Sequence, residues 1–177
     1  MPLIVRGRVW KFDDNISTDL MMPGFARTQG MSERELARYC MYSNRPGWSD
    51  QVKEGDIIVA GRNWGCGSSR PAPRMFKVLA VGGVIADSIS RLFFRNAVNI
   101  GFPVLICPGV SASVEEGEEV EVNFETGEVR NLIRGTVLQG EAIPADSPPY
   151  QILKAGGLEP LLRQTVARMN GSEAEKR

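Results

Sequence analysis

The alternation of apolar and polar positions predicts a strand–turn–helix–strand unit in the middle of the chain. Residues 56–61 form an apolar run bounded by turn residues, which is typical of a buried strand. Residues 71–81 follow with a helical pattern, which we expect Gly82 and Gly83 to end. A second apolar strand then begins over residues 84–86.

The same pattern continues toward the C-terminus. Asp87-Ser88 introduces a predicted helix over residues 89–99, whose expected core positions are Leu92, Phe93 and Val98. Residues 103–107 form another apolar run typical of a buried strand. Residues 56–107 therefore predict a βαβαβ run, which implies neighbouring parallel strands.

Less regular elements flank this core. Residues 6–12 alternate enough to form an early strand, and residues 117–124 and 128–133 alternate about a turn as a β-hairpin. A C-terminal helix is predicted over residues 158–169, and the polar tail at 170–177 is expected to fray. The fold class is thus α/β, with a parallel core and an added hairpin in a single domain spanning the 177 residues.

Charge and composition exclude several classes of function. The 21 basic and 21 acidic residues balance, so neither nucleic acid nor an acidic membrane surface is an expected partner. The chain contains no histidine. A Ser-His-Asp triad, a Cys-His dyad and histidine metal sites are therefore excluded, and any chemistry must use other side chains or groups lent by a partner.

Three widely spaced cysteines do not form a metal pattern. Cys40, Cys66 and Cys107 lack zinc or iron–sulfur spacing, and a reducing cytoplasm suits free thiols best. The simplest interpretation of Cys66 is a small residue in a turn. Residues 1–6 do not resemble a signal peptide, and no apolar run is long enough to cross a membrane. We expect a cytoplasmic protein without a metal site of its own.

The chemistry concentrates in the turn between the first central strand and its helix, Gly65-Cys66-Gly67-Ser68-Ser69-Arg70. Gly65 and Gly67 leave the backbone N–H groups of the turn accessible to an anion, and the two serines add hydroxyls. Arg70 adds a fork of N–H donors suited to a carboxylate or phosphate. The turn matches neither a P-loop, nor the dinucleotide fingerprint, nor a nucleophile elbow. It predicts an oxyanion site that needs an external charge to activate a serine.

Two further residues are candidates for this site. Asp19 follows a polar loop and is fixed by an apolar segment directly after it. Arg27 lies between a turn and a helix start, where Ser32 and Glu35 form a predicted capping box. A solvated surface arginine is the competing interpretation for Arg27.

Three stretches in order resemble the swivelling β/β/α domain of the aconitase superfamily. They are Gly7–Asp19, Gly61–Arg70 and Arg91–Gly101, and the resemblance covers roughly residues 4–165. At this length the chain is most similar to 3-isopropylmalate dehydratase small subunits. The resemblance implies a large partner subunit carrying a [4Fe-4S] cluster, with no cofactor bound by this chain. The pair would isomerise a hydroxy-acid, such as the isopropylmalate of leucine biosynthesis, by dehydration and rehydration.

The resemblance also implies roles for individual residues. Ser68 would be the base that takes the substrate proton, as an alkoxide. Ser69 and Arg70 would hold a substrate carboxylate, and Asp19 would lie near the transferred hydroxyl. Iron of the partner's cluster would act on that hydroxyl as a Lewis acid.

Two departures from the family pattern bear on the substrate. Pro71-Ala72-Pro73 replaces the usual Glu-His-Ala-Pro, which removes N–H donors from the helix start. Arg27 resembles the arginine of homoaconitases, which meet an extra substrate carboxylate. A homoaconitase-like or dimethylmalate-like small subunit and a non-catalytic carboxylate-binding module therefore remain alternatives.

Overall fold

The computed structural model describes residues 3–24, 30–67 and 70–174. Its strands are β1 (Ile4–Phe12), β2 (Ile57–Ala60), β3 (Gly83–Ala86), β4 (Val104–Ile106), β5 (Glu119–Asn123), β6 (Glu128–Asn131) and β7 (Val137–Gln139). Its helices are α1 (Thr18–Met21), α2 (Glu33–Ala37), α3 (Trp48–Gln51), α4 (Ala72–Val78), α5 (Arg91–Asn99), α6 (Val110–Ser113), α7 (Pro148–Lys154) and α8 (Leu158–Ala174).

The described strands form one mixed sheet in the order β4-β3-β2-β1-β5-β6-β7. Strands β1 to β4 pair in parallel, and β5 to β7 pair antiparallel. Strand β1 joins the two halves, because Val9–Phe12 pairs with β2 and Ile4–Arg8 pairs with β5. The predicted parallel βαβαβ core and the added hairpin are both confirmed.

A hydrophobic core lies on each face of the sheet. Strand β2 serves both, since Ile58 and Ala60 belong to one core and Ile57 and Val59 to the other. The first core is rich in aromatic rings, and the second is mainly aliphatic. A strand buried on both faces reads as a continuous apolar run, which is why the sequence predicted β2 correctly.

Helix α4 ends earlier than predicted, and the two glycines after it do not end it. Ala80 takes the left-handed conformation at φ +56°, and the N–H groups of Ala80 and Val81 donate to Lys77 and Phe76 carbonyls. This is a Schellman motif with alanine in the position that glycine usually occupies. Gly82 and Gly83 instead allow close packing, because a Cβ on either would collide with neighbouring atoms.

Helix α5 begins later than predicted, and one of its three predicted core positions is exposed. Its N-cap is Ser90, whose Oγ accepts from Phe93 N–H, so Asp87-Ser88 does not cap it. The predicted core positions Phe93 and Val98 are buried, whereas the third, Leu92, is 41% exposed. The 3.6-residue period of the helix carries Leu92 off the face that meets the sheet.

Helix α8 extends beyond its predicted end at residue 169. The backbone of α8 is helical through Ala174, within the segment 170–177 that the sequence predicts to fray. Four apolar side chains of α8 are exposed, namely Leu158, Leu162, Val166 and Met169. Within the described part of the chain, no helix is both long enough and apolar enough to cross a bilayer.

Candidate active site

The glycine turn after β2 lies between two neighbouring segments and bonds to both. On one side, Gly65 N–H donates to the Ile16 carbonyl and Thr18 N–H donates to the Cys66 carbonyl, both at 2.8 Å. On the other side, Trp64 N–H donates to the Ser88 carbonyl at 3.0 Å. Two isolated parallel bridges therefore extend the sheet past the ends of β1, β2 and β3. The turn is held by backbone bonds on both sides.

Ser88 and Ser90 strengthen this attachment through their side chains. Ser90 Oγ donates to the Gly65 carbonyl at 2.6 Å, and Ser90 N–H donates to the Trp64 carbonyl at 2.8 Å. Ser88 Oγ accepts from Asn63 N–H at 2.8 Å. The first turn of α5 is thereby fixed against the glycine turn. These serines were missed by sequence reasoning, since their partners are distant in the chain.

Gly65 and Gly67 each need the freedom of glycine for a different reason. Gly65 has φ +73°, and a Cβ there would collide with the Phe93 ring. Gly67 has φ +98° and lies against the Asp19 segment, where a Cβ would be 3.5 Å from Asp19 Oδ2. L-residues with side chains pay a steric cost at these positive φ values. Gly65 and Gly67, which the sequence predicts as backbone positions of the anion site, therefore both occupy positions that favour glycine.

Asp19 is presented by a short helix that the sequence did not predict. Ser17 caps α1, its Oγ accepting from Leu20 N–H at 3.3 Å, and Asp19 lies in the first turn. Thr18 and Met21 of the same helix are buried. Packing of α1 thus anchors the backbone of Asp19, while its own side chain stays 50% exposed at the surface.

Asp19 and Arg70 form an ion pair at the centre of the candidate site. Arg70 Nε donates to Asp19 Oδ1 at 2.7 Å, and the Arg70 side chain is 23% exposed. Gly24 flanks the guanidinium, because a Cβ at Gly24 would lie 3.4 Å from Arg70 Nη2. The Nε bond leaves the two Nη groups as the donors that can meet a carboxylate. The structure therefore brings two of the predicted site residues into direct contact.

The helix start after Arg70 contributes less than the sequence suggested. Helix α4 has seven residues, its N-cap is Pro71 with no side-chain cap, and Pro73 lies in its first turn. Prolines donate no N–H bond, so few first-turn donors remain for an anion. The anion-binding donors must come mainly from the glycine turn and from Arg70.

Three predicted site residues lie outside the described residues. Ser68 and Ser69 stand in the chain between Gly67 and Arg70, and Arg27 stands between Gly24 and Gly30. The capping box that follows Arg27 is confirmed: Ser32 Oγ accepts from Glu35 N–H, and the Glu35 carboxylate accepts from Ser32 N–H at 2.9 Å. The Ser32 hydroxyl, which donates to the Glu35 carboxylate at 2.6 Å, and the Ser32 N–H together lower the pKa of Glu35.

Two asparagines brace the loops that carry the site. Asn15 and Asn63 both take left-handed backbone conformations, at φ +58° and +60°, and Asn63 Nδ2 donates to Asn15 Oδ1 at 2.9 Å. Asn15 N–H also donates to the Arg62 carbonyl, and Arg62 N–H donates to Asp14 Oδ1. Sequence reasoning missed this contact, and the one signal that could have indicated it is that asparagine tolerates this conformation better than most residues.

The cysteines of this chain do not fit an iron–sulfur cluster. Cys40 and Cys107 are buried in the two different cores, and Cys66 Sγ donates to the Asn15 carbonyl at 3.6 Å. Burial raises the pKa of Cys40, and burial together with Asp87 raises the pKa of Cys107 to about 11. Among the described residues, no group of three or more Cys, Asp or Glu could hold a metal ion.

Comparisons with known proteins identify the family. Residues 21–106 match the model of the aconitase C-terminal domain. The isopropylmalate/citramalate isomerase small subunit of Methanocaldococcus jannaschii is 46% identical, over 94% of this chain and 98% of the relative. The methanogen homoaconitase small subunit of Methanothermobacter thermautotrophicus is 44% identical, over 88% of each chain.

A solved structure agrees with these relatives. The crystal structure of 3-isopropylmalate dehydratase from Methanocaldococcus jannaschii has a TM-score of 0.89 and 34% identity, covering 96% of this chain and 99% of that one. This chain therefore agrees with its relatives in fold, sequence and length across nearly all of its residues. The chain therefore belongs to the family of 3-isopropylmalate dehydratase small subunits, hydro-lyase subunits built on the aconitase C-terminal domain.

Proposed function

We propose that this chain supplies the carboxylate-binding half of a two-subunit hydro-lyase, as one swivelling domain that is inactive without a large subunit. The observation that carries the proposal is the Asp19–Arg70 pair, held at 2.7 Å beside the glycine turn. A guanidinium oriented by a carboxylate is ready to receive an acid group of the substrate. The site is exposed, so a second subunit can complete it.

Four residues of this chain have a proposed part in the reaction. Ser68, as an alkoxide, accepts the proton from the substrate carbon next to a carboxylate, while the hydroxyl leaves the neighbouring carbon. Ser69 and the Nη groups of Arg70 hold the carboxylate. Asp19 orients Arg70 through Nε, and its Oδ2 lies toward Gly67, near the place proposed for the transferred hydroxyl. Re-addition of water at the other carbon completes the isomerisation.

The Lewis acid belongs to the partner in this proposal. The cysteines of this chain do not fit a cluster, so we place the [4Fe-4S] group on the large subunit, where it would polarise the hydroxyl. The free cysteines support a reducing cytoplasm as the compartment. The balanced charge gives no support for nucleic acid or an acidic membrane surface as a partner, and the proposed partners are small carboxylates and the large subunit.

The preferred substrate is proposed as isopropylmalate, which would place the chain in leucine biosynthesis. A homoaconitase-like preference is the second candidate, favoured by Arg27 and by the homoaconitase relative at 44% identity. A cation in the substrate pocket would bind a third carboxylate, whereas an isopropyl group prefers an apolar neighbour.

Reconstitution with the cognate large subunit tests both candidates. We expect turnover only when both chains are present. Turnover on isopropylmalate and on a homologous tricarboxylate is then compared between the wild type and Arg27→Val. If Arg27 selects the substrate, the variant loses tricarboxylate turnover selectively, and the exposed Arg34→Val on α2 serves as a control. A complex that binds substrate without turnover would favour the non-catalytic carboxylate-binding module.

A further inference from the structure

The exposed side of α5 combines one apolar and two cationic residues. Arg91, Leu92 and Arg95 are all exposed, and together they form the surface that we call the α5 outer face. Leu92 is 41% exposed although the sequence predicted it in the core. A single exposed leucine is ordinary on a protein surface, so Leu92 gains significance only from the residues around it.

The two arginines of the α5 outer face lack acidic partners. Neither Arg91 nor Arg95 forms an ion pair with any carboxylate in the described part of the chain. They are four residues apart, so their side chains project from the same side of the helix about 6 Å from each other along the axis. Their combined charge favours an acidic surface opposite them.

An apolar groove borders the arginines on the side away from Leu92. It lies between α5 and α7, has a volume of about 450 Å³, and is lined by Phe94, Val98, Ile106, Pro148, Pro149 and Ile152. Arg91 and Arg95 stand at its rim. The surface is therefore apolar on both sides of a positive strip, which matches a partner that presents apolar side chains flanked by carboxylates.

This surface adjoins the candidate active site. The N-cap of α5, Ser90, donates to the Gly65 carbonyl at 2.6 Å, so α5 begins at the glycine turn. A large subunit that completes the site must cover this edge of the sheet, and Arg91 is the first residue beyond the cap. The α5 outer face is thus continuous with the surface that the proposed function already assigns to the partner.

We propose that the α5 outer face and its groove form a docking surface for the large subunit, which meets them with an acidic-rimmed apolar segment. This inference rests on the proposed function. A second copy of this chain is a poorer occupant, because a two-fold contact through the same face would oppose arginine to arginine. The acidic partner gains both charge complementarity and burial of Leu92.

Binding of the full-length chain to its cognate large subunit tests the docking surface. We expect Arg95→Glu to raise the Kd at least tenfold and to weaken its dependence on salt, with kcat of the saturated complex retained. Arg91→Glu is a second variant with the same expected result. Arg168→Glu is the matched control, since Arg168 is exposed on α8 and has no ion pair with a described carboxylate.

The apolar part is tested with a second matched pair. Leu92→Ala is expected to raise the Kd severalfold, whereas Leu162→Ala, at an exposed leucine of α8, leaves it unchanged. Equal Kd values for Arg95→Glu and Arg168→Glu would overturn the inference, as would a change confined to self-association in sedimentation. If the wild type activates the large subunit while all variants bind equally, only this inference fails. If the wild type neither binds nor activates it, the proposed function fails as well.

Discussion

The Phe93 side chain occupies the space that a Cβ on Gly65 would need. The contact joins the first turn of α5 to the glycine turn that carries the candidate site, and Trp64 adds an edge-to-face contact with the same ring at 6.1 Å. The position of the turn therefore depends on side-chain packing from an element 28 residues further along the chain, in addition to its own hydrogen bonds.

Replacing Gly65 is expected to be costly. Gly65→Ala combines an unfavourable backbone conformation at φ +73° with displacement of Phe93, so we expect a loss of about 3 kcal/mol in the free energy of unfolding. Gly117→Ala is the control, because Gly117 has φ +84° with open space around it. Its loss should be about 1 kcal/mol. Urea denaturation measures both, and equal losses would show that Phe93 does not restrict the turn.

Because Asp19 forms an ion pair with Arg70, we expect Asp19 to affect the KM of the reconstituted complex. Asp19→Asn removes the charge that orients the guanidinium, so we expect KM for the carboxylate substrate to rise about tenfold in the reconstituted complex. Asp13→Asn is the control, on an exposed aspartate of the loop before α1. Steady-state kinetics that are the same for both variants would contradict the role of Asp19.

Ala80 offers a position where glycine should stabilise the protein. Its φ of +56° is unfavourable for alanine, and Ala80→Gly is expected to raise the free energy of unfolding by about 0.5–1 kcal/mol. Ala167→Gly, on the exposed side of α8, should lower it by about 1 kcal/mol. Chemical denaturation of the two variants gives the comparison. A loss of stability in Ala80→Gly would exclude strain at this helix end.

The hydrogen bonds of Glu118 to the turn between β6 and β7 make the stability of the folded protein depend on pH in the acid range. Its carboxylate accepts from Glu115 N–H at 2.8 Å, Arg134 Nε at 2.5 Å and Asn131 Nδ2 at 2.7 Å, and these bonds lower its pKa. Because its pKa is lower in the folded protein, the ionised Glu118 carboxylate stabilises the folded state at pH values above 4.5, the ordinary pKa of glutamate. This contribution disappears as the pH falls through the lower pKa of the folded state.

The Glu118→Gln variant tests this linkage. At neutral pH we expect it to lose about 1–2 kcal/mol of unfolding free energy relative to the wild type. The difference should shrink below pH 4.5, as the wild-type carboxylate becomes protonated. Denaturation curves at several pH values measure it. A difference that stays constant between pH 7 and pH 3 would show that the charge of Glu118 contributes nothing.

The sequence was sufficient to predict elements whose signal is local. Continuous apolar runs revealed β2, the Ser32–Glu35 capping box marked the start of α2, and Gly101 closed α5 with φ +70°. Each of these depends on residues within one turn or one strand. For the same reason, the candidate anion site could be recognised directly, because the glycine turn, its serines and Arg70 follow one another in the sequence.

Features set by distant contacts could not be predicted. Gly82 and Gly83 looked like helix stops, but packing against Val5 and Phe124 explains them. Leu92 looked like a core residue, yet the direction in which α5 packs leaves it outside. The Asp19–Arg70 pair joins residues 51 positions apart, and only the parallel pairing of β1 with β2 brings their loops together.

The central claim is that Ser68, beside Arg70, acts as the base of a reaction that only the two-subunit complex performs. The most direct measurement is the dehydration rate of isopropylmalate by this chain alone, by the large subunit alone, and by complexes containing wild type, Ser68→Ala or the control Ser113→Ala. We predict activity only in the wild-type and Ser113→Ala complexes, with Ser68→Ala reduced by about 10²-fold or more. Full activity of the Ser68→Ala complex, or dehydration by this chain alone, would contradict the account.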